Sequence, residues 1–89
     1  MHIEQTGRFA KAVKKLHPNQ KADLDDAIRA LIATPEIGEL KRGDLAGVRV
    51  YKFTMQTQLM LLAYRLIEDT PCLLMLSVGS HENFYRDLK

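Results

Sequence analysis

The sequence predicts an α+β fold in two layers, in which a hairpin of two helices packs on an antiparallel β-meander. Two stretches near the N-terminus repeat apolar residues every three or four positions, as amphipathic helices do. Three later runs are apolar and rich in β-branched or aromatic residues, as strands are. The polar connections between these runs are short, and short connections join antiparallel neighbours. With 89 residues, we expect a single domain spanning 1–89.

The N-terminal segment predicts a short strand followed by the first helix. Residues 2–5 form the strand, and Thr6 is positioned to cap the helix through its side-chain oxygen. The apolar stripe of this helix ends near Leu16, because Pro18 cannot continue a helix and disfavours helical geometry at the residue before it.

The second helix is predicted to begin with Asn19 as its cap and to end at Thr34, before Pro35. Its apolar positions form one stripe, at Leu24, Ala27, Ile28, Leu31 and Ile32. Each helix has a single apolar face, so both need a common surface to cover.

The second half of the chain is predicted to form three strands, which supply the surface that the helices cover. After a glycine-rich loop over residues 36–47, the strands cover residues 48–53, 59–66 and 72–78. The middle strand is almost continuously apolar, which is typical of a strand covered on both faces. Gly79 allows a positive φ, so the last strand can end abruptly there. Ser80 then caps a short C-terminal helix through Leu88, or begins an ordered tail.

Composition excludes several classes of protein. No apolar run approaches the roughly 20 residues of a membrane-spanning helix, and the N-terminus lacks an apolar signal core, so we expect a cytoplasmic protein. Cys72 has no second cysteine to pair with and is expected to be buried. His2, His17 and His81 are far apart in sequence, so we expect neither a metal site nor a cofactor.

The charge distribution is more informative than the net charge of +2. Residues 8–21 contain five cations and no acid: Arg8, Lys11, Lys14, Lys15 and Lys21. A solvated helix face explains this cluster, and so does a surface for nucleic acid or an acidic partner. The small net charge argues against a free-standing DNA-binding protein.

The C-terminal segment, SVGSHENFYRDLK, holds the densest cluster of reactive side chains. His81 is either a general acid or base, or a polar residue in a turn. Tyr85 is a proton donor or stacking residue, or it packs on the core together with Phe84. Arg65 and Arg86 hold a phosphate, or they pair with carboxylates at the surface.

The assembled pattern resembles the RelE/ParE superfamily of bacterial toxins. The resemblance rests on the order of elements, the Pro35 loop and three segments: GDLAGVRVYKF, LLAYRL and SVGSHENFYRDLK. It implies a RelE/ParE-like fold and the toxin of a type II toxin-antitoxin system, held inactive by an antitoxin encoded beside it, which carries any contact with operator DNA. One branch of the superfamily cleaves mRNA on the ribosome without a metal, and the ParE-like branch poisons DNA gyrase.

For the nuclease branch, we expect four catalytic residues. The resemblance implies two of them: His81 matches the histidine after the last-strand glycine in some nucleases, and Tyr85 matches their terminal aromatic residue. Arg65 and Arg86 are expected to steady the phosphate. Several nucleases carry an arginine, or an acid and an aromatic residue, where this chain has Leu-Met-Leu at residues 59–61. This departure and the small net charge favour the ParE-like branch.

For the ParE-like branch, the resemblance implies a target-binding surface around the C-terminal segment. It comprises Arg49, Lys52, Arg65, His81, Asn83, Phe84, Tyr85, Arg86 and Lys89. Arg49 and Lys52 lie on opposite faces of their strand, because side chains alternate, so only one joins the face free of helices.

Antitoxin binding is expected over an exposed sheet edge and the groove beside the first helix. The predicted contacts are Phe9, Val13, Lys14 and Leu16. A third interpretation is an inactive member of the superfamily that only binds its antitoxin and acts as a co-repressor.

Overall fold

A computed structural model of the chain describes residues 1–80. The elements are β1 (His2–Gln5), α1 (Gly7–Lys14), α2 (Pro18–Ala33), β2 (Glu39–Leu40), a 3₁₀ turn (Gly43–Leu45), β3 (Arg49–Met55), β4 (Gln58–Ile67) and β5 (Cys72–Ser80). The predicted segment from His81 to Lys89 lies outside the described residues.

The strands form one sheet in the order β1-β5-β4-β3-β2. The pairs β2–β3, β3–β4 and β4–β5 are antiparallel, and β1 adds parallel to β5. Both helices pack on one face of this sheet, which confirms the two-layer α+β prediction. Strand β2 was not predicted, because two residues carry too little pattern to be recognised without their partners Val50 and Arg49.

The helix starts agree with the prediction for α1 and differ for α2. Thr6 caps α1, since its Oγ1 accepts a hydrogen bond from the Phe9 N–H at 3.2 Å. The prediction that Asn19 caps α2 is wrong. The helix begins at Pro18, and His17 is its N-cap. Proline suits the first helical position, where its fixed φ is already helical and its missing N–H has no partner to lose.

Apolar side chains form two clusters, one on each face of β4. On the helix side, Met60, Leu62 and Tyr64 pack with residues of both helices and of β5. On the other face, Leu61 and Ala63 pack with Val48 and Val50, and Leu45 and Leu76 cover them. This double burial confirms the prediction for the continuously apolar strand.

Two strand ends lie further along the chain than predicted. Strand β3 continues to Met55, which is buried and pairs with Gln58, so the hairpin turn is shorter than the predicted connection of residues 54–58. In this turn Gln56 has φ 57°, and its N–H donates to Asp23 Oδ2 at 2.6 Å. A hydrogen bond from α2 therefore holds the turn in place.

The last strand does not end at Gly79, contrary to what the sequence suggested. Gly79 pairs with Leu61, and β5 continues to Ser80, which pairs with Met60. Within residues 1–80 the glycines with positive φ are Gly43 and Gly47. Because β4 extends far enough to pair with both residues, the sheet keeps Gly79 extended, and Ser80 is the last residue of the strand. The predicted helix or tail after Ser80 lies outside the described residues.

Tyr64 connects the loop after α2 to the central strand. Its side chain is fully buried, its hydroxyl donates to the Pro35 carbonyl oxygen at 2.7 Å, and it accepts from the Gly38 N–H at 3.0 Å. A Cβ on Gly38 would lie 2.7 Å from the Tyr64 ring, so this approach requires glycine. The tyrosine thus fixes where the chain leaves α2 and enters β2.

We expect Tyr64→Phe to lower the free energy of unfolding by about 1–3 kcal/mol, because the Pro35 carbonyl and Gly38 N–H lose their partner in a buried site. Urea unfolding of the purified protein measures this change. Tyr51→Phe is the matched control, since the Tyr51 hydroxyl makes no hydrogen bond within residues 1–80. Equal effects of the two substitutions would contradict the role assigned to Tyr64.

We also expect the folded protein to lose stability in alkaline solution because of Tyr64. Burial raises the pKa of its hydroxyl above the ordinary value of 10.0, outweighing the Gly38 hydrogen bond and the Arg49 charge, which lower it. The unfolded chain therefore releases this proton first as the pH rises, and stability falls above about pH 10. Urea unfolding at a series of pH values should show a smaller alkaline loss for Tyr64→Phe than for the original chain.

Candidate functional site

The structure describes three of the residues predicted to bind the target, and all three lie on the sheet. Arg49 and Lys52 are on β3, and Arg65 is on β4. The others lie outside the described residues: His81, Asn83, Phe84, Tyr85, Arg86 and Lys89. Of the four predicted catalytic residues, Arg65 alone is described.

Lys52 and Arg49 lie on opposite faces of the sheet, as predicted. Lys52 pairs with Leu61, whose side chain belongs to the cluster on the helix-free face. Arg49 pairs with Tyr64 on the helix side, and its Nη1 donates to the Gly38 carbonyl at 3.0 Å. Directly paired residues of antiparallel strands share a face. Arg49 is thus part of the anchor around Tyr64, while Lys52 is exposed on the helix-free face.

Lys52 is in register with the end of β5, and Arg65 is remote from it. Lys52, Leu61 and Gly79 form one row across three strands, so Lys52 lies about 10 Å from Gly79. Arg65 is five positions along β4 from Met60, the partner of Ser80, a distance of about 17 Å along the strand. The last described residues of β5, Gly79 and Ser80, therefore lie close to the row of Lys52 and away from Arg65.

Arg65 contacts the loop before β3. Its Nη1 donates to the Ala46 carbonyl at 3.4 Å, and a Cβ on Gly47 would lie 2.5 Å from the same nitrogen. Gly47 has φ +85°, a backbone conformation that residues other than glycine rarely adopt. The guanidinium thus has a local structural partner.

The residues predicted to bind the antitoxin differ in accessibility. Phe9 is 3% exposed and belongs to the core, so little of its ring is accessible to a partner. Val13 and Leu16 are half-buried against the same core, and Lys14 is exposed. An apolar groove of about 220 Å³ lies beside α1 and β1, and Phe9 and Val13 are among its lining residues. The antitoxin contacts of these residues stay a prediction.

A second groove beside α1 carries positive charge. Its volume is about 550 Å³, and its lining residues are Gly7, Arg8, Lys11, Ala12, Lys15, Ser77 and Val78. We call it the cationic groove. The sequence indicated a basic cluster over residues 8–21 but not which of its cations share a surface. Three of them line this groove, whereas Lys21 pairs with Asp25 at 2.6 Å. The spacing of positions 8, 11 and 15 was the available signal, since residues three and four apart share a helix face.

Cys72 is 5% exposed, which confirms the prediction that it is buried. Its Sγ lies 3.8 Å from Glu4 Oε2, and His2 Nε2 lies 3.4 Å from Glu4 Oε1. Burial, together with the Glu4 carboxylate, raises the pKa of the thiol. Within residues 1–80, no three histidine, cysteine or acidic side chains are arranged to hold a metal ion.

We expect Cys72 to react with iodoacetamide at least about tenfold more slowly in the native protein than in urea at the same pH, because the thiol is buried and its pKa is raised. Mass spectrometry over time measures this rate directly, since the chain has one cysteine. Equal rates in the two states would show that β1 does not protect the thiol.

Solved structures with a similar fold include toxins and toxin-antitoxin complexes from bacteria. The RelBE2 toxin-antitoxin complex of Mycobacterium tuberculosis contains a chain that is 22% identical, with a TM-score of 0.76, covering 90% of this chain and 96% of that one. A chain of the intact Escherichia coli RelBE toxin-antitoxin complex is 21% identical, with a TM-score of 0.73, covering 91% of this chain and 96% of that one. The YoeB/ParE toxin of Agrobacterium tumefaciens is 19% identical, with a TM-score of 0.73, covering 91% of this chain and 99% of that one. At these identities the likeness establishes the fold.

The family is established by the sequence. Residues 3–89 match the family of ParE-like toxins of type II bacterial toxin-antitoxin systems, and the chain belongs to this family. The predicted resemblance to the RelE/ParE superfamily is thereby confirmed. No curated protein is similar enough to count as a match. Within residues 1–80, no helix is long and apolar enough to cross a membrane.

Proposed function

We propose that this ParE-like toxin inhibits growth in the cytoplasm by binding DNA gyrase, and that a cognate antitoxin neutralises it. The observation that carries the choice of target is the position of Arg65. It is the one described member of the predicted catalytic set, and it lies about 17 Å along β4 from the row in which β5 ends. A phosphate held by Arg65 is therefore not adjacent to Ser80, the last residue of β5.

The neighbouring positions of the sheet support binding rather than proton transfer. Residues 59–61 of β4 are Leu-Met-Leu, and the row that contains Gly79 contributes Lys52 as its titratable side chain. Metal-independent cleavage of RNA needs a positioned acid and base within hydrogen-bond reach of the reacting groups. A binding surface formed by Lys52 and the residues after Ser80 needs no such geometry.

The antitoxin partner is supported by the family and by two of the similar structures. The M. tuberculosis and E. coli structures are complexes of a toxin with its antitoxin. On this chain, the two grooves beside α1 and the short edge strand β2 offer surfaces for such a partner. Exposed edges and grooves of this kind accept an added strand or a helix.

A second candidate function is ribosome-dependent mRNA cleavage. The observation that favours it is Lys52, an exposed cation in the row where β5 ends, because cations of this kind stabilise the charge that develops on a phosphate. In that case His81 acts as acid or base, Tyr85 orients the nucleotide, and Arg86 holds the phosphate.

Two variants separate these functions. If the toxin acts by binding gyrase, ending the chain at Ser80 should abolish growth arrest, because the C-terminal part of the binding surface is removed. His81→Ala should reduce growth arrest only mildly. Growth of cells expressing each variant without antitoxin measures this. A circular dichroism melt of the shortened chain checks that it is folded.

Purified toxin identifies the target directly in two assays, gyrase supercoiling and mRNA cleavage on programmed ribosomes. The proposal expects inhibited supercoiling and intact mRNA. Cleaved mRNA, together with a loss of about 10²- to 10⁴-fold in His81→Ala, would establish the nuclease instead. Absence of growth arrest and of both activities would favour a co-repressor that only binds its antitoxin.

A further inference from the structure

Three exposed apolar side chains lie where the chain leaves α2 and forms the outer strand of the sheet. Ile32, Ile37 and Leu40 are 44%, 48% and 52% exposed. Leu40 pairs with Arg49 and so lies on the helix side of the sheet, where α2 packs over β3, the neighbour of β2. Exposed apolar residues at a sheet edge favour association with another strand.

Strand β2 directs the backbone of Leu40 away from the sheet. It is the last strand in the order, and within residues 1–80 no strand pairs with its outer side. The Lys41 N–H donates to the Val48 carbonyl at 2.8 Å, so residue 41 is directed towards β3. Because these directions alternate along a strand, the N–H and carbonyl of Leu40 are directed outwards. One such residue can exchange two hydrogen bonds with an antiparallel strand.

We propose that β2 pairs with β2 of a second copy of the chain, antiparallel and about a two-fold axis at Leu40. The Leu40 N–H of each copy donates to the Leu40 carbonyl of the other, and the two five-stranded sheets become continuous. Directly opposed residues share a face, so the two Leu40 side chains lie side by side on the helix side. Two-fold symmetry brings the same surface of both copies into contact. This proposal is independent of the target of the toxin.

The charges on either side of Leu40 are complementary in this arrangement. With Leu40 opposite Leu40, Glu39 of each copy lies opposite Lys41 of the other, on the helix-free face. Within one chain, Lys41 Nζ lies 3.2 Å from Glu39 Oε2. The pairing therefore alternates positive and negative charges across the axis, and each lysine lies between two carboxylates.

Other registers of the same pairing bring like charges together. A shift by two residues keeps the same backbone groups facing each other, but it places Glu39 opposite Glu39 or Lys41 opposite Lys41. Like charges directly opposite each other destabilise a strand pair. A lysine at an edge usually discourages association. Here the glutamate two residues away makes one register favourable and leaves the others unfavourable.

The other surfaces of the toxin stay accessible in this dimer. Helix α1 packs on β5, near the opposite edge of the sheet, so both grooves beside α1 are left for the antitoxin. The β2 edge is thereby assigned to a second copy of the chain. The contact consists of a two-residue strand and a few apolar side chains, so we expect a weak dimer with a Kd of about 10–100 μM.

Sedimentation velocity of the purified full chain, from low micromolar to near-millimolar concentration, tests this dimer. The sedimenting mass should rise from 10.2 kDa towards twice that value. Leu40→Ser should weaken dimerisation by about tenfold, because it removes apolar contact at the axis. Ile67→Ser is the control, since Ile67 is also an exposed apolar residue but lies at the end of β4. Thermal unfolding verifies that both variants are folded.

Charge reversal tests the register itself. Glu39→Lys alone, or Lys41→Glu alone, places like charges opposite each other twice, so each should weaken dimerisation by about tenfold. An equal mixture of these two variants should form a heterodimer, because every lysine then faces a glutamate. The double variant Glu39→Lys/Lys41→Glu should dimerise as the original chain does, and it has the same net charge.

Four outcomes would overturn the proposal. They are a chain that stays monomeric throughout, a dimer that Leu40→Ser and Ile67→Ser weaken equally, a mixture of the two reversed variants that stays monomeric, and a double variant that no longer dimerises. If the toxin alone is monomeric and Leu40→Ser instead weakens its complex with the antitoxin, the β2 edge belongs to the antitoxin.

Discussion

The buried hydroxyl of Tyr64 is the constraint on which the arrangement of the sheet depends. It sits in the middle of the central strand and binds both Pro35 and Gly38, so it determines where the chain emerges from α2. The loop can approach this closely because Gly38 has no side chain. Arg49 reinforces the same loop through the Glu36 and Gly38 carbonyls. The position of β2, and with it one edge of the sheet, follows from this single buried group.

The two faces of the sheet at the central strand β4 have different roles. On the helix side, apolar residues of β4 form the larger core, and on the other face a smaller cluster under Leu45 and Leu76 leaves Lys52 and Arg65 exposed. Because side chains alternate, the strand that builds the core also positions the cations. The stability of the fold and the placement of Lys52 and Arg65 are therefore linked through the register of β4.

Helix α1 likewise has an apolar face and a charged face with different roles. The apolar face of α1 fills the core with Phe9, while Arg8, Lys11 and Lys15 line the cationic groove against the end of β5. The helix is short, and its position depends on Thr6, which binds both the first turn of α1 and the Leu76 carbonyl. One threonine thus positions α1 and its cations beside β5.

Local pattern determined the elements of this protein: apolar spacing gave α1 and α2, and β-rich runs gave β3, β4 and β5, because these signals act within a few residues. Tertiary structure decided what depends on distant partners. Gly79 is extended because Leu61 pairs with it, Phe9 is buried in the core, and Arg65 lies far from the end of β5. Sequence cannot supply these outcomes, since the register of a strand and the depth of a side chain are set by residues tens of positions away.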